Sequence, residues 1–138
     1  MTVAESLRAW LRGYDASMEE VAIEQLGVDP EALGLFRGSE RQTTIFADAS
    51  MDVLEHYDFF LRFPAQTEDL RADGMDRMEG LERWIMARNL RRDLPALDNG
   101  RTCFMVKTSG GSSMIEQTDA ESVYHITLAI EYFEEAMA

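Results

Sequence analysis

Val123-Tyr124-His125-Ile126-Thr127-Leu128-Ala129-Ile130-Glu131-Tyr132 is the stretch that decides the fold. Tyr124, Ile126, Leu128, Ile130 and Tyr132 recur at every second position. Successive side chains of an extended chain point to opposite faces, so all five lie on one side. That alternation reads as a half-buried strand. Five large apolar side chains on one face need a covering layer, which places this strand in the centre of a sheet.

Working outward, Thr102 to Thr108 reads as a neighbouring strand, and Gly110-Gly111 as the turn between the two. Val53 to Phe63 alternates in the same manner, with Tyr57, Phe59, Leu61 and Phe63 on one face and Asp58 and Arg62 on the other. Arg41 to Asp48, carrying Thr43, Thr44, Ile45 and Phe46, supplies the other arm of a hairpin. Two shorter strands are expected before it. One is Ala32 to Phe36, ending at Gly38-Ser39-Glu40; the other is Met18 to Leu26, with Val21 and Ile23 opposite Glu20 and Glu24 and a break at Gly27-Val28-Asp29-Pro30.

Two segments follow a helical period instead. Val3, Leu7, Trp10, Leu11 and Tyr14 are spaced by three and four, with Thr2 or Ser6 available as an N-cap and Gly13 near the end. After Pro64, Thr67-Glu68-Asp69 offers a cap and an acidic first turn for a longer helix. It runs through Met78, Leu81, Trp84 and Ile85 to Arg91-Arg92. Gly74 and Gly80 each cost about 1 kcal/mol relative to Ala in a helix interior, so a break or tertiary support near Gly74 is expected. Leu94-Pro95-Ala96-Leu97-Asp98-Asn99-Gly100 is a stop followed by a turn. The sum is a single α+β domain over residues 1–138, a mostly antiparallel sheet with two main helices packed on one face.

Composition narrows the functional classes. A chain of 138 residues with 46% hydrophobic content can bury a real core. Thirteen basic against 26 acidic residues leave a formal charge of −13. That charge repels nucleic-acid phosphates and anionic lipid, so protein surfaces are the expected partners, with no direct sequence-specific nucleic-acid binding and no membrane. Cys103 is the sole cysteine, set in the apolar run Cys103-Phe104-Met105-Val106, and reads as a buried thiol in a reducing compartment. The start lacks a basic region followed by an apolar one, and no run approaches the ~20 apolar residues of a membrane span, so a cytoplasmic location is expected.

Catalytic, cofactor and metal patterns are not found in the sequence. His56 and His125 are the only histidines, and neither belongs to a local ligand motif. His125 falls on the strand face opposite the apolar stripe, as a solvent-facing or interface histidine. His56 has Asp52, Glu55 and Asp58 nearby, and a small-ligand or enzymatic site would need the fold to gather it with Asp52 or Asp58. Asp69, Asp73, Asp76 and Glu79 read as the solvated face of the second helix; Arg83, Arg88, Arg91 and Arg92 complement its dipole. Gly110-Gly111-Ser112-Ser113 lacks the Lys-Ser/Thr of a phosphate loop and reads as a flexible loop between strands.

The order of elements from about Gly38 onward resembles a group of small bacteriophage proteins, the tail-terminator or minor-capsid (tail-to-head joining) subunits. The residues that carry it are Gly38-Ser39-Glu40-Arg41-Gln42-Thr43-Thr44-Ile45-Phe46, Glu82-Arg83-Trp84-Ile85 at the end of an acidic helix, and the stop Leu94-Pro95-Ala96-Leu97. Then come the loop Thr108-Ser109-Gly110 and the segment Thr118-Asp119-Ala120-Glu121, which opens the final strand Val123-Tyr124-His125-Ile126-Thr127-Leu128. The long run Val53 to Phe63 and everything before Gly27 depart from that pattern.

The resemblance implies a non-enzymatic subunit of a homo-oligomeric ring, six copies round, that ends the tail tube and meets the head connector. Such a subunit would assemble in the host cytoplasm and remain at the tail-head junction of the virion; a head-completion or neck adaptor is the nearest alternative. Six copies at −13 each sum to −78, a bore from which DNA is repelled. The candidate contact segments are the hairpin near Ala47 to Met51, with Asp48, Ser50 and Met51, and the loop Thr108 to Thr118, with Ser109, Gly110, Gly111, Ser112, Ser113 and Met114.

Overall fold

The structure is a computed structural model that describes residues 1–27 and 32–136. In chain order the elements are α1 (Val3–Leu11), a 3₁₀ turn (Ala16–Glu20), β1 (Ala22–Ile23), β2 (Leu33–Ile45), β3 (Met51–Pro64), α2 (Glu68–Leu90), β4 (Arg101–Thr108), β5 (Ser113–Gln117) and β6 (Glu121–Glu134). The strands form one sheet in the order β1-β2-β3-β6-β4, with β5 also paired to β6, and among the described residues only β1 against β2 is parallel. The α+β architecture read from the sequence is the one observed, and β6 is central, with β3 on one side and β4 and β5 on the other.

Alternation along β3 and β6 sends Tyr57, Phe59, Leu61 and Phe63, together with Ile126, Leu128, Ile130 and Tyr132, into a single buried layer. The two helices cover that layer. From α1 come Val3, Leu7 and Leu11; from α2 come Met78, Leu81 and Ile85. Thr2 caps α1 in a reciprocal capping box with Glu5, and Thr67 caps α2 by accepting from the Leu70 amide at 3.2 Å.

No break occurs at Gly74: α2 is a continuous helix of 23 residues. Both glycines are points of close approach. A Cβ on Gly74 would stand 3.2 Å from the Phe63 ring, and one on Gly80 would stand 2.8 Å from the Tyr14 hydroxyl. Tyr14 donates to the Arg77 carbonyl at 3.0 Å, and Trp10 lies 4.8 Å from Trp84, ring centre to ring centre. Tertiary packing between α1 and α2 offsets the low helix propensity of glycine.

Three expectations are corrected. Met18 to Leu26 is not a strand: Asp15 accepts from the Ser17 amide and opens a 3₁₀ turn. Met18 and Val21, three apart, are both buried there, and only Ala22–Ile23 pairs. Ala32 to Phe36 and Arg41 to Asp48 are not two strands but one, β2, which ends at Ile45. Gly38-Ser39-Glu40 is absorbed as a register shift between Arg37 and Arg41. Ser113 to Gln117 is not loop: it is β5, antiparallel to β6. The expected break from Val28 to Pro30 lies outside the described residues. Among the described residues no helix is long and apolar enough to cross a membrane.

Leu81 has no solvent exposure and lies between sheet and helix. Leu81→Ala is expected to lower the unfolding free energy by about 2–5 kcal/mol, measured by urea denaturation at an unchanged m-value. A loss under about 1 kcal/mol would mean that α2 is not seated on the sheet as described.

Candidate interaction surfaces

The turn joining β2 to β3 is tightly built. The Phe46 amide donates to the Ser50 carbonyl at 2.8 Å and the Ala49 amide to the Phe46 carbonyl at 3.0 Å, with Ala49 at a φ of +70°. One Asp48 carboxylate oxygen accepts from both the amide (2.9 Å) and the hydroxyl (2.5 Å) of Ser50. These bonds hold the Asp48 carboxyl below its ordinary pKa. Ser50 is buried and Met51 is the first residue of β3, whereas Asp48 locks the turn and remains exposed. The exposed apolar groups are the preceding pair, Ile45 at 72% and Phe46 at 43%.

At the far corner of the sheet, the Ser109 amide donates to the Thr127 carbonyl at 2.8 Å. Gly110 takes a φ of +84°, and Gly111 leads into β5. The Ser112 amide donates to Glu82 of α2 at 2.5 Å, which ties the base of the arm to the helix. Ser113 and Met114 belong to the strand, every residue of β5 is exposed, and Met114 (47%) and Ile115 (53%) are its large apolar groups. Between α2 and this arm runs a cleft of about 460 Å³, lined by Met75, Met78, Glu79, Glu82, residues 111–114 and Tyr124.

The edges of the sheet differ in how they are treated. Along β4, Asn89 of α2 accepts from the Val106 amide at 3.1 Å and Arg92 donates to the Phe104 carbonyl at 3.3 Å. That edge is guarded. β1 covers β2 only at Gly34 and Leu35. Among the described residues nothing pairs with the outer side of β2 from Ser39 to Ile45, nor with the outer side of β5.

A second cluster escaped the sequence reading. Glu55 points to the helix-covered face and is buried. The Tyr57 hydroxyl donates to it at 2.9 Å and the Tyr132 hydroxyl at 2.6 Å, while Arg37 and Arg41 stand 3.6 and 3.4 Å away. These five side chains line a cleft of about 640 Å³ at the N-terminus of α1. Burial, reinforced by the hydrogen bond to Glu55, pushes Tyr132 up to about 12; burial and the Glu55 charge raise Tyr57 as well. Both hydroxyls therefore remain donors near neutral pH. The available signal was an acidic residue at an inward position of an alternating strand, between Val53 and Tyr57.

Asp52, His56 and Asp58 occupy alternate positions on the face of β3 that carries no helix. Asp58 does not serve His56. It meets His125 Nε2 at 2.7 Å and accepts from Thr127 at 3.2 Å, and Phe60 stacks on the His125 ring at 4.9 Å. The buried Nδ1 of His56 has no hydrogen-bond partner among the described residues. The clefts of about 640, 460 and 300 Å³ are all lined by other side chains. Among the described residues no three His, Cys, Asp or Glu side chains gather to hold a metal ion. Cys103 is buried, and burial raises its thiol to about 11, which leaves it protonated and unreactive at neutral pH.

No protein-family model matches this chain, and no curated protein matches it.

A tyrosine ordinarily ionises near 10, whereas Tyr132 in the fold does so near 12. Its contribution to stability is complete below the lower value and is lost as pH rises through the higher one. Tyr132→Phe removes that dependence. The urea midpoint of the variant is expected to fall less between pH 9 and pH 11 than that of the wild type, and equal falls would exclude the ionisation of Tyr132 as its source.

Proposed function

We propose that this chain is a structural assembly subunit that closes into a homo-oligomeric ring at the end of a bacteriophage tail tube and joins it to the head connector. The observation that carries the reading is the pair of unlike free edges. The outer side of β2 beyond Arg37 lies where β3 begins and β6 ends; β5 lies where β6 begins, on the opposite flank. Both edges display large apolar side chains in water, and the third edge, β4, is guarded by Asn89 and Arg92. A protein that protects one edge and leaves two others apolar and open uses the open ones.

Unlike surfaces at opposite corners favour a head-to-tail contact, and such a contact closes into a ring when its rotation divides a full turn. An isologous dimer would use one edge twice and leave the other bare. The tail-terminator resemblance gives this geometry a setting. The subunit assembles in the host cytoplasm on the finished tube and stays at the tail-head junction, where a formal charge of −13 per copy keeps transiting DNA from adhering. The reading requires no cofactor or catalytic group.

The test is absolute mass by light scattering over a concentration series, alone and with purified tail tubes, against 15.7 kDa for one chain. A discrete closed species of about six chains is the expected result. A mass that stays at one or two chains in both settings would remove the ring.

A further inference from the structure

We infer that the cleft between the last turn of α2 and the outer edge of β4 is the seat for the Ile45–Phe46 hairpin tip of a second copy of this chain. The inference rests on the ring reading and names the contact that builds it, leaving β5 free for the tube or the head connector. Its first support is the tip. Ile45 and Phe46 stand in water beside a turn closed by the bonds between Asp48 and Ser50. Two large apolar side chains are thus held in one geometry, so little conformational entropy remains to be lost on docking. Asp48 itself is exposed, and among the described residues its carboxylate bonds only Ser50. The tip offers an apolar pair with one free negative charge beside it.

The cleft has the complementary character. It encloses about 300 Å³ and is lined by Asn89, Leu90, Arg92, Phe104 and Met105. Leu90 is 75% exposed, more than any other large apolar side chain among the described residues. Asn89 and Arg92 bond the backbone of β4, which closes that edge to a pairing strand but leaves open a cleft that takes side chains. Among the described residues the one bond of the Arg92 side chain is to the Phe104 carbonyl, so its charge is not spent on an acid. Asp93, next to it in the chain, is already bridged to Arg88. Lys107, exposed on β4 two residues beyond Met105, adds a second positive charge against one acid, Glu131, which lies opposite Met105. A tip seated on Leu90, Phe104 and Met105 thus brings a free carboxylate to a rim of net positive charge, and that match sets the register of the contact.

Topology makes the contact intermolecular. The tip hangs from β2 and the cleft lies outside β4, on opposite flanks of the order β2-β3-β6-β4. Three strand spacings, roughly 14 Å, separate the two flanks, and the locked turn cannot fold round the sheet between them. The two surfaces are unlike, so the contact is heterologous and each copy can offer one and receive one.

A charge exchange at two exposed positions tests this. Ile45→Lys spoils the tip and Leu90→Glu spoils the cleft, and each alone is expected to sediment at the 15.7 kDa of one chain with an unchanged circular-dichroism melt. The double variant, in which the new lysine of one copy meets the new glutamate of the next, is expected to regain the closed species. As a second readout, Ile45→Cys combined with Leu90→Cys should give a ladder of intermolecular disulfides on oxidation, with buried Cys103 taking no part. Rings that persist in both single variants, or a ladder formed by Ile45→Cys with Met114→Cys and not with Leu90→Cys, would overturn this contact and leave the ring reading standing. A wild type that stays monomeric with tail tubes present, and gives no ladder, would overturn both.

Discussion

The pairing of β3 with β6 is the constraint on which everything else in this molecule depends. Fourteen residues of each strand are in register without interruption, from Met51 opposite Glu134 to Pro64 opposite Glu121. A slip of one residue would turn every side chain of the moving strand to the other face, expelling Phe59 and Leu61 and drawing in Asp58 and Arg62. Glu55 adds a polar condition to that apolar one. Its carboxylate is buried on the covered face and is satisfied because Tyr57 and Tyr132 converge on it, and Tyr132 is within reach only in this register. A slipped pairing would part Glu55 from Tyr132 and break the one hydrogen bond that joins this carboxylate to β6.

From that ladder the remaining layers follow in order. The covered face fixes where α1 and α2 must lie. Gly74 lets α2 settle onto Phe63, and Gly80 gives Tyr14 its place. The C-terminal turn of α2 then falls beside β4, where Asn89 and Arg92 take up the strand's outward backbone groups. Further back along the helix, Glu82 takes only the Ser112 amide at the base of β5. One helix thus protects one stretch of the outer edge and leaves the next one open. The difference between a guarded edge and a usable one is a matter of which side chains α2 presents along its length.

Much of this was legible in the sequence, and the part that was not has physical reasons. β3, β6 and α1 announce themselves because their largest apolar side chains recur on one covered face, and α2 because Met78, Leu81 and Ile85 do so behind a Thr67 cap, although Met75, Met86 and Leu90 of the same helix are exposed. β2 misled because Gly38-Ser39-Glu40 has the composition of a turn, yet the pairing on β3 carries the chain through it as a bulge. β5 was hidden because all five of its residues are exposed, and a strand with no buried face leaves no alternation to read. The first 3₁₀ turn was mistaken for a strand because over so short a span a buried pair three apart resembles a period of two. Among the contact segments, the loop and hairpin positions were recognisable from their turn chemistry. The sequence could not tell that Asp48 and Ser50 spend their polar groups on each other, or that Met75 and Met114, 39 positions apart, face one cleft. Such facts are created by the fold and have no local signature.

The seam between the helices has a consequence for how this molecule can be watched. The chain has two tryptophans, and both lie in that seam, Trp10 from α1 tilted against Trp84 from α2, with the Arg88 guanidinium 5.2 Å above the Trp84 ring and the Trp10 indole donating to the Asp93 carbonyl. Intrinsic tryptophan emission is therefore a private signal of helix docking. It reports whether α1 is seated on α2 and is blind to events at the hairpin tip or along β5. Folding and association can be followed in one cuvette as separate observables, the first by colour and the second by scattered light.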